Sequence, residues 1–167
     1  HGEPPREPWL YSKDLLETFR NADNMRYELM PYIYAQAKES SQKGLPMMRA
    51  LFLEYPNDQG SWLVDNEYLF GSSILVAPLF EEVTGRDVYL PEGTWIDYQT
   101  KKVYQGGWHK IEAGAIPIIV LVRNGSAIPH IKLAQSTKDM DWSKLTLKVY
   151  ATDATTTATA KVFLPEG

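Results

Sequence analysis

The side chains here whose chemistry reaches beyond packing are carboxylates, imidazoles and guanidinium groups. The chain holds 21 Asp and Glu residues, three His and no Cys. The lack of cysteine removes disulfides, thiol nucleophiles and structural Cys-zinc sites together. Carboxylates that stand close in sequence include Glu81 with Glu82 and Asp139 with Asp141. Glu81 and Glu82 are adjacent, so in an extended segment they point to opposite faces. Asp139 and Asp141 flank Met140 in a polar stretch and read as solvated surface charge. His109 and His130 have no third ligand at metal-like spacing, which argues against zinc. His109, beside Trp108, reads as a strand-surface residue, and His130, after Pro129, as a polar strand end. Arg49 sits among apolar residues. A buried arginine must be paired, so a carboxylate such as Glu54 is its expected partner. Arg6 and Glu7 read as a loop-stabilising ion pair. Trp9, Trp62, Trp95, Trp108 and Trp142 are spread through the chain, each beside an element boundary, where packing is their default role. Gly93 and the Gly106-Gly107 pair look like hairpin turns, not phosphate loops, since no helix start follows them.

These groups need a scaffold, and the bulk properties limit what it can be. At 167 residues the chain holds one domain, or one domain and part of another. Its net charge of -4 and scattered Lys and Arg give no footprint for nucleic acid or an anionic membrane. No apolar run approaches the roughly 18 residues needed to span a bilayer. The longest dense run, residues 116–122, suits a buried strand. The chain starts at His1 without a signal-peptide pattern, which suits a piece cut or processed from something longer. Cytoplasmic, periplasmic and secreted locations all stay open, because a cysteine-free protein folds in either redox environment.

Residues 1–10, with Pro4, Pro5 and Pro8, read as an extended loop. Ser12 is placed to cap a long helix, with Asp14 in its first turn. Leu15, Phe19, Ala22, Arg26, Leu29, Ile33 and Ala37 recur along one stripe of it. Pro31 predicts a kink near Tyr27, and Gly44 followed by Pro46 predicts the end. Residues 47–55 read as a short buried strand, 56–60 as a turn, and 61–71 as a short helix capped by Ser61. Beyond Gly71 short apolar runs alternate with turns, at residues 74–80, 86–90, 95–98, 102–104, 108–112, 118–122, 127–131 and 145–150. That texture predicts an all-β sandwich. Residues 151–160 are rich in Thr and Ala and suit either a strand or a mobile connection.

Six blocks, HGEPPREPW, RYELMPYIYAQA, GLPMMRALFLEYP, DNEYLFGSSILVAPLFEE, VYLPEGTWIDYQT and IPIIVLVRNGSAIPH, resemble in order the C-terminal stretch of glycoside hydrolase family 31, which includes α-glucosidases and α-xylosidases. The resemblance covers roughly residues 1–135, and the order of the blocks makes it specific. It implies an α+β fragment: the helical end of a (β/α)8 barrel in residues 1–71, then a proximal β-sandwich in residues 72–150. Residues 151–167 would be a junction, with the first strand of a distal domain at 161–167. One departure is that Gly106-Gly107-Trp108 is contiguous, where many relatives have a residue between glycine pair and tryptophan.

The resemblance also implies a chemistry. Retaining glycosidases use two carboxyls about 5 Å apart. In the family both are aspartates on earlier barrel strands, and the motifs that carry them are absent here. No carboxylate of this chain is therefore assigned a catalytic role, and the chain alone is expected to be inactive. His1 matches the family's histidine that hydrogen-bonds a sugar hydroxyl in the −1 subsite, so it is the one substrate-binding candidate. An oligosaccharide is the implied partner of the intact enzyme, with no metal or organic cofactor. Two other readings stand beside this one. A carbohydrate-binding sandwich would show a planar row of exposed Trp or Tyr on one sheet face. A ligand-free structural module would pack its helix on its own sheet, whereas an exposed apolar face on that helix would mark a missing barrel.

Overall fold

The structure is a computed structural model and describes residues 7–165. Helix α1 spans Lys13–Glu28 and α2 spans Met30–Lys43. Ser12 caps α1 through its hydroxyl, which accepts the Leu15 N–H at 3.3 Å. The break falls at Leu29 (φ -80, ψ 2), two residues after the expected kink. Pro31 lacks the N–H that would bond the Tyr27 carbonyl, yet Leu29 N–H still reaches Met25 O and Ile33 N–H reaches Leu29 O. The ladder holds on both sides, and the distortion gathers in the residue between. Gly44 ends α2 in the left-handed region (φ 69), with its N–H on Ser40 O at 2.9 Å.

The expected apolar stripe is only partly buried. No residue of α1 is buried, and Leu15 and Phe19 are 52% and 51% exposed. On α2 the buried face is Pro31, Tyr32, Ala35, Gln36 and Glu39, whereas Ala37 is exposed. Tyr32 and Gln36 dock the helix onto a tight turn. The Tyr32 hydroxyl donates to Phe70 O at 2.7 Å and accepts the Ser73 N–H at 3.1 Å. Gln36 Oε1 accepts the Ser72 N–H at 2.9 Å. Gly71 (φ 66) lies so close beneath Gln36 that an added Cβ would sit 2.4 Å from it. Burial pushes the Tyr32 phenol up to about 12.

Residues 47–55 form only a two-residue strand, β1 (Met48–Arg49), followed by one helical turn, α3 (Leu51–Glu54). This run contains no β-branched residue, and its Ala and Leu favour helix, so the strand reading fails after Arg49. The helix expected at 61–71 is a 3-10 turn, Gly60–Trp62, a loop, and strand β2, Tyr68–Phe70. Asp58, not Ser61, organises that turn: its carboxylate accepts the Gly60 N–H at 3.0 Å and the Ser61 hydroxyl at 3.1 Å.

The remaining strands are β3 (Ile74–Pro78), β4 (Gly85–Asp97), β5 (Val103–Glu112), β6 (Ile118–Arg123), β7 (Ser126–Ile131) and β8 (Leu145–Tyr150). A six-stranded antiparallel sheet runs β1-β2-β3-β6-β4-β5, and β7 pairs with β8 separately. The division expected at residue 71 therefore runs between two paired strands, β2 and β3. Strand β4 is one long strand where two were expected. Its register against β5 shifts between Leu90 and Thr94. Gly93 (φ 127) and Gly107 (φ 115) lie at this bulge, not at hairpin ends as their spacing suggested. The true β4–β5 turn is built by Asp97, whose buried Oδ1 accepts the Gln99 and Thr100 N–H groups at 2.7 and 2.6 Å.

Both faces of the sheet are covered. On one, Leu69, Leu75, Ala77, Ile119 and Leu121 meet Val88, Leu90, Trp95 and Ile111 from β4 and β5, with Leu51 of α3. On the other, Ile74, Val76, Ile96, Val120 and Val122 pack under Leu29 and Tyr32 and under Ile128 and Tyr150 of the β7–β8 pair. The class is α+β, with mostly antiparallel sheet. The tail contributes one parallel bridge, Ser126 to Thr159, and residues 161–165 form no strand. Among the described residues, no helix is long and apolar enough to cross a membrane.

Candidate functional site

A cleft of about 720 Å³ lies where the 54–59 loop faces the β4–β5 bulge. Its walls are Glu54, Tyr55 and Asn57 through Gln59 on one side, and Tyr89, Glu92, Gly93, Gln105 and Gly107 on the other. Two of its carboxylates are already engaged. Glu54 pairs with Arg49, which is 2% exposed and also donates from Nε to Pro46 O at 2.8 Å. The carboxylate partner expected for Arg49 is thus Glu54. Asp58 Oδ1 accepts the Tyr89 hydroxyl at 2.6 Å as well as the Gly60 N–H. That bond and burial push the Tyr89 phenol up to about 12, burial being the larger cause. Asp58 thereby ties the loop to the sheet.

The other candidates do not converge on the cleft. Glu81 and Glu82 lie in an exposed bend between β3 and β4. Asp139 accepts the Ser136 hydroxyl and Asp141 the Ser143 hydroxyl in a surface turn. His109 Nε2 donates to Gln105 O at 2.6 Å on the surface of β5. His130 lies at the end of β7 as read, one residue before Ile131, but is buried there. It is 3% exposed, with Nε2 2.7 Å from the Tyr98 hydroxyl and Nδ1 2.9 Å from Ile128 O. Among the described residues no cluster of His, Asp and Glu could hold a metal ion. His1 and Arg6 lie outside the described residues. Trp95 is buried, Trp62 stacks on Phe52 at 4.6 Å and Trp142 meets Tyr34 edge-on at 5.7 Å, so these three make contacts within the chain and form no common platform.

A titratable residue that sequence reasoning missed is Glu67. It is 4% exposed, and its Oε1 accepts the Tyr89 N–H at 3.0 Å. Arg86 approaches Oε2 only to 3.8 Å, because its guanidinium donates to Asn66 O, Asp87 O and Pro78 O. Desolvation wins, and burial lifts the Glu67 carboxyl to about 7. His130 moves the other way, down to about 4, also through burial. The signs follow by linkage. Glu67 favours the fold below its ordinary 4.5, and that contribution is lost as pH rises through 7. His130 favours the fold above 6.5, and that contribution is lost as pH falls through 4. Glu67→Gln keeps the acceptor and carries no charge. Its melting temperature should rise relative to the unmodified chain at about pH 8 and not at about pH 5. An equal offset at both pH values in thermal denaturation would refute the assignment.

Residues 44–128 match the glycosyl hydrolase family 31 C-terminal domain, and residues 1–36 match the glycosyl hydrolases family 31 TIM-barrel domain. Alpha-glucosidase 2 of Bacillus thermoamyloliquefaciens is 34% identical over 138 residues, covering 81% of this chain and 18% of the relative. An alpha-xylosidase of Emericella nidulans is 34% identical over 141 residues, covering 77% and 18%. A Flavobacterium johnsoniae GH31 dextranase solved with isomaltotriose superposes with a TM-score of 0.78 at 37% identity, covering 87% of this chain and 18% of that one. A GH31 alpha-xylosidase from Xanthomonas citri gives 0.79 at 32% identity, covering 89% and 17%. The chain thus spans under a fifth of the length of each of these four proteins.

Proposed function

The chain belongs to glycoside hydrolase family 31, and from that premise we propose that it is the C-terminal portion of a retaining α-glycosidase acting on oligosaccharides. The parent removes terminal α-linked glucose or xylose through a covalent glycosyl-enzyme intermediate. The observation that carries this reading is the order of the two matched domains, barrel then C-terminal domain, within one chain. A second feature supports it. Trp9, Leu10, Tyr11, Leu15 and Phe19 are each at least half exposed, at 70, 58, 51, 52 and 51%. Such an apolar face suits the rest of a barrel packed against α1.

On this reading the helical residues as far as Lys43 close the barrel and the sheet from Met48 is the proximal domain. His1 donates to or accepts from a substrate hydroxyl at the −1 subsite. The chain by itself is inactive, since the nucleophile and the acid/base lie on preceding strands. The test is hydrolysis of nitrophenyl α-glucoside and α-xyloside by this chain and by a longer protein that includes the preceding barrel. Turnover by the longer protein alone is expected, and its preferred substrate separates glucosidase from xylosidase. Turnover by the 167-residue chain would overturn the placement of the carboxylates.

A further inference from the structure

The cleft between the 54–59 loop and the β4–β5 bulge has a chemistry that the fold does not use up. Its volume of about 720 Å³ falls within the roughly 300–1,000 Å³ of small-ligand clefts. Glu54, Asp58 and Glu92 line it and no Lys or Arg does, so it repels anions. Among the described residues, no hydrogen bond engages the side chains of Asn57, Gln59 or Glu92. Gln105 uses only Oε1, accepting the Thr94 hydroxyl at 3.0 Å, which leaves its amide N–H groups to donate. Two glycines form part of the floor. Gly93 and Gly107 have φ 127 and 115 with nothing within 4 Å of where a Cβ would stand, so backbone is open to close approach by a ligand. Free amide donors, one free carboxylate (Glu92) and no cation select a neutral polyhydroxylated ligand.

We propose that this cleft is a non-catalytic oligosaccharide subsite, in which Asn57, Gln59, Glu92 and Gln105 hydrogen-bond sugar hydroxyls. The proposal rests on the reading of the parent as an α-glycosidase, because that supplies the class of sugar. Asp58 and Tyr89 are positioning residues: their 2.6 Å bond holds the loop across from the bulge.

The test titrates isomaltotriose into the 167-residue chain and follows backbone amides by NMR. Saturable shifts confined to residues 54–59, 89–93 and 105–107 are expected, with low-millimolar affinity. Asn57 and Gln105 are exposed, so Asn57→Ala with Gln105→Ala should leave the amide spectrum elsewhere and the melting temperature unchanged. The double variant should weaken binding by about tenfold. No saturable shift, shifts elsewhere, or binding untouched by the double variant would each overturn the proposal. A sulfated trisaccharide binding as well as the neutral one would do so too. Hydrolysis by the longer protein is a separate measurement, so failure of the subsite stays distinguishable from failure of the glycosidase reading.

Discussion

Replacing Trp95 with alanine is expected to lower the unfolding free energy by about 3–5 kcal/mol, the range for emptying a core of a large aromatic ring. Trp95 is 1% exposed and sits among Leu90, Ile111 and Leu121. Its indole N–H donates to Pro91 O at 2.9 Å, bridging the register shift of β4. The guanidinium of Arg123 lies 5.7 Å above its ring. Three effects therefore coincide: a cavity, a freed carbonyl in the bulge and a cation left with only the Tyr55 ring, 5.3 Å away. Trp95→Phe keeps most of the burial and loses the bond, so about 1 kcal/mol is expected for it. Urea unfolding of both variants separates the terms. Equal losses would mean that the bond, not the cavity, dominates.

Arg49→Ala is the second large effect, at about 3 kcal/mol, the lower end for removing one partner of a buried pair. Arg49 is almost fully covered, while the Glu54 side chain is 27% exposed and can regain water. That asymmetry keeps the cost from the upper end. The Pro46 carbonyl also loses its donor, which loosens the entry to β1. In a double-mutant cycle, Glu54→Gln should be markedly less costly in the Arg49→Ala background than alone. Additive losses would show that the two side chains stabilise the fold independently.

Local chemistry was largely legible in the sequence. Ser12, Pro31 and Gly44 act within a turn of themselves, and the structure places cap, break and stop at or within two residues of where their chemistry predicts. Strands β3, β6, β7 and β8 were readable because Ile, Val and Leu cluster between turn residues. Segment 47–55 was not, since a short apolar run without β-branched residues suits strand and helix alike. The burial of His130 and Glu67 was hidden for a different reason: their environment comes from Tyr98 and Tyr89, distant in sequence. The cleft was illegible altogether. It exists only because a bulge in β4 brings residues 89–93 and 105–107 opposite residues 54–59. The family blocks gave no sign that β1 and β2 belong to the large sheet.

The placement of β6 between β3 and β4 has a consequence for how the chain is made. The β4–β5 hairpin is local, and its closure entropy is small. Strand β3 pairs with β2 on one side, but its other edge waits for residues 118–122, which emerge last among the six strands. During synthesis Ile74, Leu75, Val76 and Ala77 therefore present an apolar edge while β4 and β5 are already paired beyond it. Insertion of Ile118–Arg123 is the step that closes the sheet on both sides at once. A nascent chain that has emerged from the ribosome only as far as residues 112–118 would hold a half-sheet with an open seam, the state most exposed to pairing with another chain.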